Sequence, residues 1–239
     1  MNKKLIIFDK DGTLLDFDAY WIPVSQAALS DLVKSANLDD SVIDEIFDAF
    51  LVKTGVTAIT SSLCHGTYDD MGHDIWGVLN KHNAKLSENE VKALTRELYH
   101  KYIENGEIKP TSEKLGATLD ALKNDGYILG VVTSDAPLVT EECLKALKIR
   151  DFFSFVITDD GVTPTKPSPV SLASLMKKYS LSQDEILMVG DTLTDLNYAK
   201  AGGVDFLGLA KSRENASILS RNGAEYIIDD ISKIFNLLD

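Results

Sequence analysis

Residues 4–14 of this 239-residue chain read KLIIFDKDGTL. The run from Leu5 to Phe8 is short and apolar, and it ends abruptly at Asp9. Such a run, closed by aspartate and glycine, predicts a buried β-strand followed by a tight loop. Because side chains alternate along an extended backbone, continued extension would place the carboxylates of Asp9 and Asp11 on the same side. Two carboxylates at such a short separation repel each other unless a cation or a shared proton lies between them.

The pattern of the sequence changes twice beyond this stretch. Residues 16–109 show helical periodicity without strand-like segments, and Ser87 and Glu90 form a capping-box pattern at the start of one helix. From residue 110 onward, apolar runs suited to buried strands alternate with helical stretches. This alternation predicts a Rossmann-like α/β fold, with a mainly parallel sheet and helices on both faces.

The first strand belongs with the later alternating region, although a long helical stretch separates the two. We therefore predict a discontinuous catalytic core of residues 1–15 and 110–239, interrupted by an inserted all-α domain of residues 16–109. An insert that leaves from the carboxyl end of a strand lies above the sheet edge where α/β proteins bind ligands. The insert is therefore expected to act as a cap that gates the site and selects the substrate.

Polar residues also follow later strands of the predicted sheet. Thr133 and Ser134 close one apolar run, Lys166 stands in a proline-stiffened loop before a helix, and Asp191 and Asp195 follow another apolar run. Each has an ordinary explanation on its own, because hydroxyls and aspartates cap helices and a loop lysine is usually solvated. Together they place carboxylates, hydroxyls and an ammonium at one edge of a parallel sheet, where helix N-termini also point their N–H groups.

This group of side chains indicates phosphate chemistry. Carboxylate oxygens at this density suit a hard cation, and Mg2+ commonly bridges carboxylates and phosphate oxygens. In a chain with 24 basic and 37 acidic residues and a net charge of -13, the metal, the lysine and the helix N-termini would neutralise a phosphoryl group. A carboxylate can also act as a covalent nucleophile.

Composition excludes several other classes of protein. The acidic balance, without any basic run, argues against a nucleic-acid or anionic-membrane surface. No apolar run approaches the ~20 residues that a membrane helix needs. The cysteines Cys64 and Cys143 form neither a CxxC pair nor a disulfide framework. We therefore expect a cytoplasmic enzyme.

The chain resembles the haloacid dehalogenase-like (HAD) superfamily, in the branch with an α-helical (C1-type) cap that includes phosphoglycolate phosphatases. Four family motifs occur in order, FDKDGTL at 8–14, VTS at 132–134, KP at 166–167 and GDTLTD at 190–195. The resemblance covers the whole chain. It implies a Mg2+-dependent phosphatase whose substrate is a small phosphorylated metabolite. The phosphate monoester of that metabolite would be hydrolysed through an aspartyl-phosphate intermediate.

The resemblance also implies a role for each matching residue. Asp9 would be the nucleophile, and Asp11 would be the general acid for the leaving alcohol and then the base for water. The carboxylates of Asp9 and Asp191 and the carbonyl of Asp11 would hold Mg2+. The other implied positions are the phosphate-binding residues Thr133, Ser134 and Lys166, the loop-shaping residues Gly12 and Thr13, and Asp195 as a support for the metal.

Position 11 distinguishes branches of the superfamily. The ATP-driven cation pumps that resemble this family carry threonine there, and dehalogenases lack the second aspartate, so Asp11 favours a phosphatase. Sugar-phosphate mutases similar to β-phosphoglucomutase share this aspartate and the cap, and they are the alternative. A non-catalytic binding protein of the same fold is a second alternative, which the complete set of acidic and basic motif residues disfavours. Asp135 and Phe17 depart from the residues frequent in phosphoglycolate phosphatases, which leaves the substrate open.

Overall fold

A computed structural model describes residues 2–238 of the chain. The chain divides into two compact units. One runs up to Phe17 and resumes from Ile108, and we call it the core unit; the other spans Asp18–Glu107, and we call it the insert unit. The functions predicted for them, catalytic core and cap, stay predictions.

The insert unit is built mainly from helices. Apolar side chains recur at helical spacing and become its buried faces, as for Val24, Ala28 and Leu32 on the first helix. The predicted capping box is confirmed, since the Ser87 N–H donates to Glu90 Oε2 at 2.8 Å. The helices after the first strand, β1 (Leu5–Phe8), are α1 (Phe17–Ser35), α2 (Val42–Ala49), α3 (Ser62–His65), α4 (Tyr68–Lys81) and α5 (Glu88–Tyr102).

The expectation of an all-α insert needs one correction. Strands β2 (Val52–Lys53) and β3 (Val56–Thr57) pair antiparallel and form a small hairpin between α2 and α3. The two residues between them, Thr54 and Gly55, have φ values of 50° and 76°. Positive φ at both central positions matches the right-handed twist of paired strands, and glycine adopts it without steric cost.

The core unit contains the predicted parallel sheet. Its remaining strands are β4 (Ile128–Val132), β5 (Phe155–Ile157), β6 (Ile186–Gly190), β7 (Asp205–Leu209) and β8 (Tyr226–Ile228). Within residues 2–238 the sheet has six strands in the order β5-β4-β1-β6-β7-β8, and every pairing is parallel. Phe8 at the end of β1 lies beside Val131 on one side and Val189 on the other. The central strand therefore ends between two neighbours of matching register.

Helices cover the sheet, and the predicted Rossmann-like α/β class is confirmed. All four residues of β1 are fully buried, as a strand covered on both faces requires. Ile6 and Phe8 pack in one apolar cluster with Leu119 and Leu122. The helices of this unit are α6 (Leu115–Asn124), α7 (Pro137–Ala146), α8 (Val170–Tyr179), α9 (Leu193–Gly202), α10 (Arg213–Arg221) and α11 (Phe235–Leu238).

Among the residues that the structure describes, no helix combines the length and the apolar character required to cross a bilayer.

Candidate active site

The carboxyl edge of the sheet brings together loops that are far apart in sequence. Asp9 follows β1, and its N–H donates to the carbonyl of Val189 in β6 at 2.9 Å. Asp191 comes directly after β6, Thr133 comes directly after β4, and Lys166 lies in the loop between β5 and α8. Because parallel strands end at the same edge, these four residues are carried to one end of the core unit.

Four charged side chains form a buried cluster at this edge. Lys166 Nζ lies 2.5 Å from Asp9 Oδ1 and 2.5 Å from Asp195 Oδ1. Carboxylate oxygens of Asp9, Asp191 and Asp195 all lie within 4.8 Å of one another. Each of the four residues is at most 9% exposed. We call Asp9, Lys166, Asp191 and Asp195 the carboxylate cluster.

The carboxylate cluster has more negative than positive charge, and its ionisation reflects this. Burial raises the pKa of Asp9 to about 7, against the opposing attraction of Lys166. Burial, and then the nearby carboxylates of Asp9 and Asp195, raise the pKa of Asp191 well above its usual range. Burial alone would lower the pKa of Lys166, but the carboxylates of Asp195 and Asp9 hold it above its ordinary value. The single ammonium of Lys166 cannot balance the charge of three ionised carboxylates.

A divalent cation fits this imbalance. Such an ion among the three carboxylates would favour their charged forms, because an opposite charge at short range offsets the cost of burial. The donor set is made of oxygen only, which is the preference of Mg2+ and Ca2+ and not that of softer metals. The chemistry of the residues present is therefore compatible with the predicted Mg2+.

Asp195 is held by two sets of contacts. Its Oδ1 accepts from Lys166, and its Oδ2 accepts from the Thr192 hydroxyl at 2.6 Å and the Thr192 N–H at 3.1 Å. Thr192 is also the N-cap of α9, so the helix start fixes this carboxylate. In the sequence analysis, Asp195 was expected to support the metal. Its contacts indicate a second role, because the carboxylate of Asp195 also orients Lys166.

Gly12 and Thr13 fix the position of Asp191. The Thr13 hydroxyl donates to Asp191 Oδ1 at 2.9 Å, and Thr13 is fully buried. Gly12 has a φ of +78°, and a Cβ atom there would lie 2.0 Å from Asp191 Oδ2. Glycine is therefore required at position 12 both by the backbone conformation and by the close approach of a carboxylate.

Asp11 is not one of the three carboxylates that lie within 4.8 Å of one another. It is still close enough to Asp9 for its charge to be one of the causes that raise the pKa of Asp9. The carboxylate of Asp11 accepts from Lys10 Nζ at 2.6 Å, and its side chain is 29% exposed. The predicted proton-transfer group is thus more accessible than the predicted nucleophile.

The two predicted hydroxyl donors lie on the loop after β4. Thr133 is buried, and its Oγ1 accepts from the N–H of Asp135 at 3.2 Å. Because the oxygen already accepts there, the hydroxyl proton of Thr133 can be donated to a ligand. Ser134 is exposed.

Lys10 is a feature of the site that sequence reasoning missed. It is only 2% exposed, and its Nζ lies 2.6 Å from Asp11 Oδ1 and 3.0 Å from Asp135 Oδ2. A lysine two residues after a buried strand, with an aspartate on either side, was the available signal. The sequence contains no indication that Asp135 would supply the second partner.

Comparison with known proteins finds a family match over most of the chain. The family model described as haloacid dehalogenase-like hydrolase matches residues 6–209. A phosphoglycolate phosphatase from Vibrio parahaemolyticus is 27% identical over 235 residues, which cover 98% of this chain and 96% of that protein.

Two solved structures show the same fold. A predicted phosphoglycolate phosphatase from Haemophilus somnus superposes with a TM-score of 0.72 at 24% identity, covering 100% of this chain and 99% of that one. The HAD-hydrolase YfnB from Bacillus subtilis, crystallised with magnesium, gives a TM-score of 0.70 at 18% identity over 100% of both chains. The family match spans most of the chain, and the predicted resemblance is confirmed. The chain belongs to the haloacid dehalogenase-like hydrolase family and is one of its phosphatases.

Proposed function

We propose that this phosphatase is Mg2+-dependent and hydrolyses a small phosphate monoester through an aspartyl-phosphate formed on Asp9. The observation that carries the proposal is the buried carboxylate of Asp9 at the end of the central strand, 2.5 Å from Lys166 and grouped with Asp191 and Asp195. A buried nucleophile at the end of a central strand is held in one orientation, so that it can be aligned with the phosphorus of a bound ester.

In the first half-reaction, a carboxylate oxygen of Asp9 forms a bond to phosphorus while the bond from phosphorus to the alcohol oxygen breaks. Asp11 in its protonated form donates a proton to that leaving oxygen. In the second, water attacks the phosphorus of the aspartyl-phosphate, Asp11 accepts the proton of the water, and Asp9 is released with inorganic phosphate. The exposure of Asp11 suits a group that exchanges protons with substrate and solvent.

Positive charge and hydrogen-bond donors are needed around the phosphoryl group during both steps. Lys166 would neutralise an oxygen of the phosphoryl group while balancing the charge of Asp9. Thr133 and Ser134 would donate from the loop after β4. Asp195 would act through Lys166, since it holds the ammonium at 2.5 Å.

Asp9 and Asp191, together with the carbonyl of Asp11, would hold Mg2+, and Asp195 lies close enough to support it. When bound, the ion supplies positive charge to phosphoryl oxygens and orients the ester. This part of the proposal is supported by the excess of negative charge, since three carboxylates share one ammonium.

A cytoplasmic setting and a small phosphorylated metabolite as substrate belong to the same proposal. The sequence contains two cysteines, Cys64 and Cys143, too few for a disulfide framework, which suits a reducing compartment. Phosphoglycolate is named only for relatives, and it enters here as one candidate among short phosphorylated acids, sugar phosphates and nucleotides.

Release of inorganic phosphate tests the proposal directly. The protein is assayed against a panel of these three ester classes with Mg2+, with EDTA, and with EDTA followed by excess Mg2+. We expect release with Mg2+, loss to background with EDTA, and recovery with added Mg2+. Equal release in EDTA would remove the metal from the proposal. Rearrangement of a sugar phosphate without free phosphate would establish a mutase instead.

The substitution Gly12→Ala tests the contact between the first motif and Asp191. A methyl group would displace the carboxylate, and the left-handed backbone would add strain of about 1–2 kcal/mol. We expect loss of phosphate release and of the rise in Tm that Mg2+ gives the wild type. The matched control is Gly126→Ala, where φ is +89° but nothing lies within 4 Å of the added Cβ. It should lower Tm alone, and equal loss of activity in both variants would contradict the predicted contact.

A further inference from the structure

Lys10 is a buried lysine whose ammonium is shared by two carboxylates. Asp11 Oδ1 and Asp135 Oδ2 lie 2.6 Å and 3.0 Å from Nζ, and the lysine side chain is 3% exposed. Removing an ammonium from water is unfavourable unless charged partners replace the lost solvation, and these carboxylates supply that replacement. The backbone of Lys10 is fixed as well, since its carbonyl accepts from the N–H groups of Leu14 and Leu15 at 2.8 and 2.9 Å.

The second partner, Asp135, is part of the loop that follows β4. Its Oδ1 accepts from the Ala136 N–H at 2.8 Å, and its own N–H donates to Thr133 Oγ1 at 3.2 Å. Its carbonyl accepts from the N–H of Asp159, in the loop that follows β5. Asp135 is therefore bonded to the hydroxyl proposed to bind phosphate, and its carboxylate connects that loop to Lys10.

We propose that Lys10 is a positioning residue, which holds Asp11 and the Thr133 loop at a fixed separation through Asp135. The inference rests on the proposed function of Asp11 and Thr133. Proton transfer to the leaving oxygen requires the acid to lie within hydrogen-bond reach of the ester while the phosphoryl group is held by the other loop. One ammonium bound to both loops sets this relation before substrate arrives.

Two properties make Lys10 suitable. Its burial limits competition from water, so each contact is stronger than at the surface. The carboxylates of Asp11 and Asp135 lie 2.6 Å and 3.0 Å from its Nζ, and two opposite charges at this range favour the charged form of the ammonium. Lys10 would not touch the substrate, and it would act only through its two partners.

The substitution Lys10→Met keeps an unbranched side chain and removes the charge. We compare kcat/KM for an alkyl phosphate with kcat/KM for p-nitrophenyl phosphate, because this ratio reports the first half-reaction. An alkoxide must be protonated as it leaves, whereas p-nitrophenolate is stable without a proton. A misplaced Asp11 should lower kcat/KM by about 100-fold for the alkyl ester and by less than about tenfold for the aryl ester.

The matched control is Lys3→Met. Lys3 is the other buried lysine on this segment, 6% exposed, and it contacts Asp205 and the carbonyls of Asp184 and Ile186 near the opposite end of β1. This variant should lose stability while the ratio between the two esters stays at the wild-type value. An unchanged ratio in Lys10→Met, or an equal change in Lys3→Met, would overturn the positioning role. If the wild type hydrolyses neither ester, the proposed function itself has failed.

A second comparison keeps the inference testable if Lys10→Met does not fold. Asp135→Asn preserves the shape of the side chain but weakens its contact with the ammonium, so the Thr133 loop should bind inorganic phosphate less tightly. The Ki of phosphate as a product inhibitor should rise in Asp135→Asn and stay at the wild-type value in Lys3→Met. An unaltered Ki in Asp135→Asn would contradict the link, whether or not Lys10→Met folds. Where Lys10→Met does fold, adding it to Asp135→Asn should raise the Ki no further, because both changes break the same link.

Discussion

The substitution Asp9→Asn is expected to reduce phosphate release by at least about 1,000-fold, since removal of a covalent nucleophile has effects of this size or larger. The amide has nearly the same shape as the carboxylate but cannot form the aspartyl-phosphate. The rise in Tm caused by Mg2+ should also shrink, because one of three clustered carboxylates is lost. Phosphate release and thermal unfolding with and without Mg2+ measure both effects.

The stability of Asp9→Asn separates loss of chemistry from loss of fold. The pKa of Asp9 is raised by burial to about 7, from an ordinary value of 3.8. In the metal-free wild type this residue therefore favours folding below pH 4, and that contribution is lost as the pH rises through 7. In EDTA at pH 8, Asp9→Asn should then be at least as stable as the wild type. Asp229→Asn, at an exposed ion pair with Lys233, is the matched control and should change neither activity nor Tm. Substantial turnover by Asp9→Asn would exclude the assigned nucleophile.

The sheet and its polar edge could be predicted because they follow from patterns that are local in sequence. The apolar runs that became β1 and β6 are fully buried, so their composition alone indicates covered strands. Residues that follow parallel strands meet at one edge whichever strands are neighbours. Asp9, Lys166 and Asp191 could therefore be grouped without knowledge of the strand order.

What could not be predicted depends on side-chain partners that are distant in sequence. The burial of Lys10 requires Asp135, more than a hundred residues away, and nothing in either local pattern indicates the other. The contact that Asp11 makes with Lys10 at 2.6 Å could not be predicted either, because the spacing of Asp9 and Asp11 does not indicate which cation Asp11 contacts. The small hairpin of the insert was detectable, since the β-branched residues Val52, Val56 and Thr57 flank the turn at Thr54 and Gly55.

The second large effect is expected from Lys166→Met. This change removes the one ammonium of the carboxylate cluster and leaves Asp9 and Asp195 without the contacts at 2.5 Å. Breaking a buried ion pair on one side costs about 3–5 kcal/mol, because the remaining charge stays buried. Phosphate release should fall by about 100- to 1,000-fold, the usual loss when one donor to a developing charge is removed.

The response of Lys166→Met to Mg2+ distinguishes an electrostatic role from simple packing. Without the ammonium, the three carboxylates depend more strongly on a divalent cation, so Mg2+ should raise the Tm of this variant by more than it raises that of the wild type. The control Lys233→Met removes an ammonium from an exposed pair, where the expected change is below about 1 kcal/mol and activity is retained. If Mg2+ stabilised Lys166→Met no more than the wild type, Lys166 would not be balancing the charge of the metal-binding carboxylates. Its effect on turnover would then be assigned to its contact with the phosphoryl group alone.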